Sequence, residues 1–221
     1  MRCLPRTRAE RIRAAFFGLV LLFVVGWFVV KPLMVSAAYA PQVGDVAFQS
    51  LPGGFDLVEA IEGITGSPFS HCGVVQRIDG EWVVIEAIGE VRRTPLRAWI
   101  ARGRGNHVAV YRLREPYRSH IPAMIEGMER LLGRPYDFRY RLEDAHIYCS
   151  ELVYRGYQMA TDGKPLGVLR KLGDMNWEPY RAVIQKYEEC GPDELPLDRL
   201  MITPKDLAEA PELERVFNYG F

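Results

Sequence analysis

Residues 71–88 read HCGVVQRIDGEWVVIEAI, and this stretch decides the fold. Two apolar runs flank the pair Asp79-Gly80. An Asp-Gly pair between apolar runs is a strong signal for a β-hairpin with a type I′ turn. In that register Gly73 lies opposite Glu86. The stretch therefore predicts two antiparallel strands whose side-chain faces are fixed by the turn.

His71 and Glu86 are expected on one face of this hairpin. His71 lies two residues before Gly73, so it is a diagonal neighbour of Glu86 at roughly 7–8 Å. A carboxylate on an apolar strand is costly to bury without a partner, and a carboxylate that orients a histidine is part of a catalytic triad. The structural alternatives are a histidine of the core and a glutamate paired with Arg77 or Arg92 or facing water.

Cys149 is the best candidate for a nucleophile. It stands at the start of a helix predicted over 148–160, where the helix dipole and free amides favour the thiolate. His146 is a rival base in the preceding loop, and a small buried residue is the commoner role of a cysteine. Cys72 is expected on the hairpin face opposite His71. The spacing alone leaves catalysis and packing open for Cys149.

The remaining sequence predicts an α+β fold with a central antiparallel sheet packed by helices. Helical and strand patterns are interleaved, with the hairpin strands at the centre. Thr94 is expected to cap a helix with Pro95 at its first position. Further strands are predicted at 46–48 and 107–113, and further helices at 57–63, 121–132, about 180–189 and just after Thr203-Pro204.

The N-terminus predicts a membrane anchor. Residues 1–13 carry five arginines and one glutamate, a local charge of +4. Residues 14–30 contain no charged residue and no proline, and as a helix they span roughly 25 Å. Because a basic flank stays in the cytoplasm, we expect a single-pass protein of the bacterial inner membrane. Residues 31–41 are then a linker, and residues 42–221 form a periplasmic domain.

A cleaved signal peptide is the alternative to this anchor. Ala38-Tyr39-Ala40 has the small-x-small form of a cleavage site, and cleavage near Ala40 would give a secreted protein. The uncharged run of 17 residues is longer than the apolar core of about 7–15 residues usual in signal peptides. Pro41 would also occupy the first mature position. These two features favour the retained anchor.

The charge and cysteine patterns exclude several classes. Basic and acidic residues are equal at 28 each, and the chain after residue 13 carries a net charge of −4, which gives no support to nucleic-acid binding. Cys72, Cys149 and Cys190 cannot all pair within the exported part, so at least one is free or bonded to another molecule. No C-x-x-C pair or dense cluster of ligand residues indicates a metal site, and no cofactor is expected. The sequence makes no prediction of oligomeric state.

Four short motifs occur in order: GDVAF at 44–48, SHCGVV at 70–75, VIEA at 84–87 and YCSELV at 148–153. Together they resemble the permuted papain-like cysteine hydrolases of the YiiX/YebB-like type, relatives of the NlpC-type cell-wall peptidases. The histidine, acid, cysteine order is that of the permuted branch. TPL at 94–96, GRPYD at 133–137 and ITPKDL at 202–207 extend the resemblance, which covers about residues 42–221.

The resemblance implies a permuted papain-like fold and a triad of Cys149 as nucleophile, His71 as base and Glu86 as orienting acid. The amide of Cys149 is then the expected oxyanion donor. Tyr148 and Tyr136 are candidate oxyanion or substrate contacts, with packing and turn formation as their alternatives. Cys72 stands where the family has an aliphatic residue, which favours a packing role.

The function implied is that of an exported thiol hydrolase. Its expected substrate is an amide in a cell-envelope component such as the peptidoglycan stem peptide. A lipid acyltransferase or thioesterase with the same triad, acting on a lipid-like substrate, is one alternative. An inactive, membrane-anchored binding module is the other.

Overall fold

A computed structural model describes residues 8–26, 30–54, 56–143, 145–191 and 193–221 of the chain. Within these residues the helices are α1 (Arg8–Val25), α2 (Lys31–Ala38), α3 (Asp56–Thr65), α4 (Leu96–Arg102), α5 (Ile121–Glu129), α6 (Cys149–Ala160), α7 (Arg181–Glu188) and α8 (Pro204–Ala208). The strands are β1 (Val46–Gln49), β2 (His71–Ile78), β3 (Glu81–Ile88), β4 (Glu90–Pro95), β5 (Val108–Leu113), β6 (Arg170–Lys171), β7 (Leu200–Met201) and β8 (Leu213–Tyr219).

The main sheet is antiparallel and has the strand order β4-β3-β2-β1-β5-β8. The predicted hairpin forms its centre, with Gly73 opposite Glu86. Asp79 and Gly80 have φ values of 49° and 86°, so both central residues have the positive φ of a type I′ turn. The predicted hairpin and its register are confirmed.

Helices cover both faces of this sheet. On one face, α5 and α6 pack over a core that includes Phe48, Cys72 and Ile85. On the other face, α2 and α4 pack over a second core that includes Val75 and Trp99. An antiparallel sheet packed by helices agrees with the predicted α+β class.

Two strands of the sheet have no counterpart in the sequence-based prediction. β4 and β8 are edge strands, and β4 buries only Val91 and Thr94 among its six residues. β8 buries only Leu213 among its seven residues, so neither strand carries a strong alternating apolar signal. Thr94 consequently lies in β4, and α4 begins two residues later, at Leu96. Thr94 is therefore not the helix cap expected from the sequence.

The described residues do not confirm the transmembrane helix expected over 14–30. None of their helices is both long enough and apolar enough to cross a membrane. The 18 residues of α1 include four charged ones, Arg8, Glu10, Arg11 and Arg13. Residues 27–29 of the expected span, and 1–7 of the expected basic tail, lie outside the described residues.

The segment 31–41, expected to be a linker, is packed onto the domain. It contains α2, whose Val35 is 2% exposed, and it continues to Tyr39, which is 3% exposed. The Tyr39 hydroxyl donates a hydrogen bond to Asp45, which also accepts two from Arg112. The apolar residues of α2 thus fill the core under α4 rather than connecting two bodies.

Candidate active site

Hydrogen bonds of the two residues that flank Cys149 fix its position at the start of α6. The backbone N–H of Tyr148 donates to the Glu151 carboxylate over 3.3 Å, which closes the first turn. The Ser150 hydroxyl donates to the carbonyl of Ile202 over 2.9 Å, and the Ile202 N–H donates to the Tyr148 hydroxyl over 3.1 Å. Cys149 is thereby the first residue of a rigid helix, and its side chain is buried.

The hairpin brings His71 and Glu86 into direct contact. His71 Nε2 lies 2.6 Å from Glu86 Oε2, and both residues are buried. Thr94 Oγ1 donates to Glu86 Oε1 over 2.5 Å, and Arg102 donates to Oε2. Burial opposes the charge of Glu86, but the bonds from His71 and Arg102 outweigh it and lower its pKa to about 2. Glu86 is therefore an anion that fixes the imidazole ring.

His71 also contacts Cys149 through a hydrogen bond. Because Nε2 is engaged with Glu86, this contact falls to Nδ1. Burial lowers the pKa of His71, but the bonds to Cys149 and Glu86 more than compensate and raise it to about 9. The pKa of the Cys149 thiol is lowered, first by a hydrogen bond from Cys72 and then, against burial, by His71. The two groups together favour a thiolate–imidazolium pair.

Cys72 also lies at this site, and the sequence did not predict its contact with Cys149. Its side chain is on the sheet face opposite His71, as predicted, and it is fully buried. That face is the one covered by α6, so Cys72 meets Cys149 there. His71 is the first residue of β2, and its ring reaches the same sulfur at the end of the strand. The sequence contains no signal for this packing of α6 on β2.

A pair of tyrosines lies beside the thiol. The hydroxyls of Tyr136 and Tyr140 are 3.1 Å apart, and Tyr136 is also hydrogen-bonded to Cys149. Burial and these neighbours raise the pKa of Tyr136, so its hydroxyl stays protonated and can donate. Tyr140 has a φ of 53°, and its ring packs 4.6 Å from that of Tyr148. Sequence reasoning missed Tyr140, because no turn motif marks its left-handed backbone.

The structure separates two other candidates from the thiol. The hydroxyl of Tyr148 is bonded to the Ile202 backbone, so it anchors the start of α6. His146, the rival base, is exposed and lines a surface cavity with Arg139 and Glu189. His71, Glu86, Cys149 and Tyr136 are the predicted site residues that the fold brings together.

Two neighbouring cavities lie beside these residues. A cleft of about 420 Å³ is lined by His71, Tyr136 and Arg102 among others. A smaller apolar cavity of about 80 Å³ is lined by residues such as Ile64 and Met201. The two cavities share the lining residues Leu57, Ile61, Phe138 and Tyr187.

Comparison with known families agrees with this geometry. The profile of the permuted papain-like amidase enzymes, YaeF/YiiX, C92 family, matches residues 40–217. The chain belongs to the C92 family. It is thus a cysteine hydrolase, and the resemblance found in the sequence motifs is confirmed.

Two relatives of this C92-family protein are informative. The uncharacterized protein YiiX of Escherichia coli (strain K12) is 31% identical over 180 residues, which cover 81% of this chain and 87% of that protein. The crystal structure of metalloprotein yiiX from Escherichia coli O157:H7 superimposes with a TM-score of 0.74 at 31% identity. That similarity covers 82% of this chain and 99% of the crystallised one.

Proposed function

We propose that this C92-family enzyme hydrolyses an amide bond with Cys149 as nucleophile, His71 as acid and base, and Glu86 as the group that orients His71. The observation that carries the proposal is the hydrogen-bonded series from Glu86 through His71 to Cys149. The raised pKa of His71 and the lowered pKa of Cys149 match the charge states that such a nucleophile needs at neutral pH.

Each step of this reaction has a group to perform it. The Cys149 thiolate attacks the carbonyl carbon, and the electron pair of the C=O bond moves to oxygen. The amide of Cys149 at the start of α6 and the hydroxyl of Tyr136 are the donors for that oxyanion. The His71 imidazolium then gives its proton to the departing amine, which leaves a thioester. Water gives a proton to His71 and attacks the thioester, releasing the acid and restoring the thiolate.

The substrate enters where the cleft meets His71 and Tyr136. Cys149 is 1% exposed, and His71 and Tyr136 are its neighbours that line the cleft, so we expect a carbonyl to reach it between these two side chains. Tyr136 is half-buried and lies at the boundary of the cleft, and its hydroxyl contacts the sulfur. A carbonyl oxygen that displaces this hydroxyl from the sulfur would gain it as a hydrogen-bond donor.

The first substrate candidate is an amide of the cell envelope, such as one in a peptidoglycan stem peptide. Its support is the export signal in residues 1–30 and the resemblance to NlpC-type peptidases. We propose the location that this signal indicates, the periplasmic side of the inner membrane. Protease added to spheroplasts should then digest residues 42–221 but leave a tag at residue 1 intact. Digestion of neither part would contradict this location.

The second candidate is a lipid acyl amide or ester processed by the same residues. The apolar cavity favours it, because its lining is almost wholly apolar and includes residues that also line the cleft, so an alkyl chain leaving the cleft would meet an apolar surface. Ile61 and Ile64 are among the apolar residues that line this cavity. A lipid acyl group would remain on Cys149 as a thioester until water or an acceptor removes it.

The neighbour described as a metalloprotein raises the question of a metal. In the parts of the chain that the structure describes, no group of three or more histidine, cysteine, aspartate or glutamate side chains is placed to hold a metal ion. His71, Cys72 and Cys149 already hydrogen-bond one another or Glu86. No step of the proposed reaction runs through a metal.

The test of this function compares single cysteine variants of the full chain. Wild type is incubated with stem-peptide amides and with N-acyl amides, and the released amine is quantified. Cys149→Ala should lose all measurable turnover, whereas Cys190→Ala, which removes a half-exposed thiol outside the site, should keep the wild-type rate. Equal turnover by wild type and Cys149→Ala would refute the proposal, and so would an equal loss in Cys190→Ala.

A further inference from the structure

A second thiol, unused by the proposed reaction, lies against the nucleophile. Cys72 on β2 and Cys149 at the start of α6 lie where these two elements pack together, close enough for each thiol to shift the pKa of the other. Both cysteines are free and buried, and both belong to the core between the sheet and α6. A disulfide between two such neighbours needs their sulfurs to come within about 2 Å of each other, which a rotation of either side chain can provide.

Rigid elements hold the two sulfurs together. Cys72 is the second residue of β2, and its backbone pairs with Phe48 of β1. Cys149 is the first residue of α6, which Ser150 ties to the carbonyl of Ile202. The contact is therefore a property of the folded domain and does not depend on a mobile loop.

We propose that Cys72 and Cys149 form a reversible redox site, in which Cys72 resolves the oxidised nucleophile as an internal disulfide. The oxidant is a hydroperoxide. The Cys149 thiolate attacks it, takes up one oxygen as sulfenic acid, and the other oxygen leaves as an alcohol or as water. The Cys72 sulfur then attacks the sulfenic sulfur, and the hydroxyl group leaves with the Cys72 proton as water. Two thiols are oxidised by two electrons, and the hydroperoxide is reduced.

The environment of the two thiols sets the order of these steps. Burial, together with the charge and hydrogen bond of Cys149, raises the pKa of Cys72 well above its ordinary value. Cys72 therefore stays protonated while Cys149 is the thiolate, so Cys149 is the thiol that meets the oxidant. Formation of sulfenic acid removes the negative charge from Cys149, and with it one cause that keeps Cys72 protonated.

The disulfide would have two consequences for the enzyme. It occupies the nucleophilic sulfur, so amide hydrolysis stops until a dithiol reduces the bond. It also prevents further oxidation of Cys149 to sulfinic or sulfonic acid, which thiols do not reverse. The inference rests on the proposed function only in taking Cys149 as the reactive thiolate, and its test needs no substrate.

The test exposes the full chain to limiting hydrogen peroxide and follows it by mass spectrometry. Wild type should lose the mass of two hydrogen atoms, yield a peptide cross-linked between Cys72 and Cys149, and regain both free thiols with dithiothreitol. Cys72→Ala should instead gain the mass of two or three oxygen atoms at Cys149 and should not recover. Cys72→Val, which fills the site with an aliphatic side chain, repeats the measurement if Cys72→Ala does not fold. Cys190→Ala is the control and should behave as wild type.

Two outcomes would overturn the redox site. One is irreversible oxidation of Cys149 in wild type at the same rate as in Cys72→Ala. The other is a disulfide that joins Cys190 to either thiol. The proposed amide hydrolysis fails separately, if the cross-link forms as expected but reduced wild type and Cys149→Ala turn over amides equally.

Discussion

Glu86 shows how much of the site depends on one buried carboxylate. It accepts hydrogen bonds from His71, Thr94 and Arg102, and these bonds compensate for its complete burial. Thr94 is on the neighbouring strand, so the residue expected as a helix cap instead bonds the carboxylate that we propose orients His71.

Replacing Glu86 by glutamine should leave the shape of the site intact but reduce kcat by as much as about 10⁴-fold, because the amide no longer stabilises the imidazolium. Thr94→Val removes one hydrogen bond to the same carboxylate and should cost only roughly tenfold. Steady-state kinetics with any cleaved amide measures both variants. Equal rates for wild type and Glu86→Gln would show that His71 needs no orienting acid.

The ion pair between His71 and Cys149 should give a distinctive pH profile. Because the pKa of Cys149 is lowered, alkylation by iodoacetamide should be fast below the pH of about 8.5 at which an ordinary thiol ionises. The pKa of His71 is about 9, so amide turnover should fall above that pH, where the acid for the leaving amine is lost. His71→Ala should move the alkylation midpoint upward.

His146→Ala is the matched control for this profile, since His146 is exposed and outside the site. Its alkylation midpoint should equal that of wild type when the labelled Cys149 peptide is quantified at each pH. A shift in His146→Ala, with none in His71→Ala, would assign the base to the rival histidine.

At the scale of elements, local sequence signals correctly predicted the structures that local interactions form. The Asp79-Gly80 turn fixed the hairpin register, and the pattern after Cys149 predicted α6, because both depend on residues close in sequence. Predicting the contact of Cys72 with Cys149 would have required knowing which face of the sheet α6 covers. That depends on tertiary packing, which local sequence patterns do not reveal. β4 and β8 escaped prediction because edge strands bury few side chains.

The packing of α2 leads to a prediction about the segment expected to be a linker. Val35 is buried against the sheet, so Val35→Ala should lower the free energy of unfolding by roughly 1–3 kcal/mol. Met34 on the same helix is 67% exposed, and Met34→Ala should change it by less than about 0.5 kcal/mol. Unfolding of the full chain in urea measures both. Equal, small effects would show that α2 does not stabilise the domain.

This packing also bears on signal cleavage. A cut near Ala40 would remove Val35 and Tyr39 from the mature chain, and Asp45 would lose the hydroxyl of Tyr39. The expected cost of cleavage therefore adds to the two sequence features that favour a retained N-terminus.

At the scale of the whole molecule, the site forms only where the layers of the fold meet. Glu86 and His71 come from adjacent strands, Arg102 comes from α4 on one face, and Cys149 comes from α6 on the other. His71 therefore lies between the Glu86–Arg102 ion pair, on one side, and the Cys149 thiol, on the other. The apolar cavity beside the cleft is the feature that distinguishes the two substrate candidates.

Narrowing the apolar cavity should distinguish the lipid-like substrate from the stem-peptide amide. Ile61 lines both cavities, so Ile61→Trp would narrow the space available to an alkyl chain between them. If an alkyl chain binds there, kcat/KM for a long-chain N-acyl amide should fall at least about tenfold, since each lost methylene contact is worth roughly 1–3 kcal/mol. Hydrolysis of stem-peptide amides should stay near wild type.

Val168→Trp, at a position 65% exposed and outside both cavities, is the control. An equal loss for both substrates would show that the tryptophan damages the site itself, and no loss for either would remove the cavity from substrate binding.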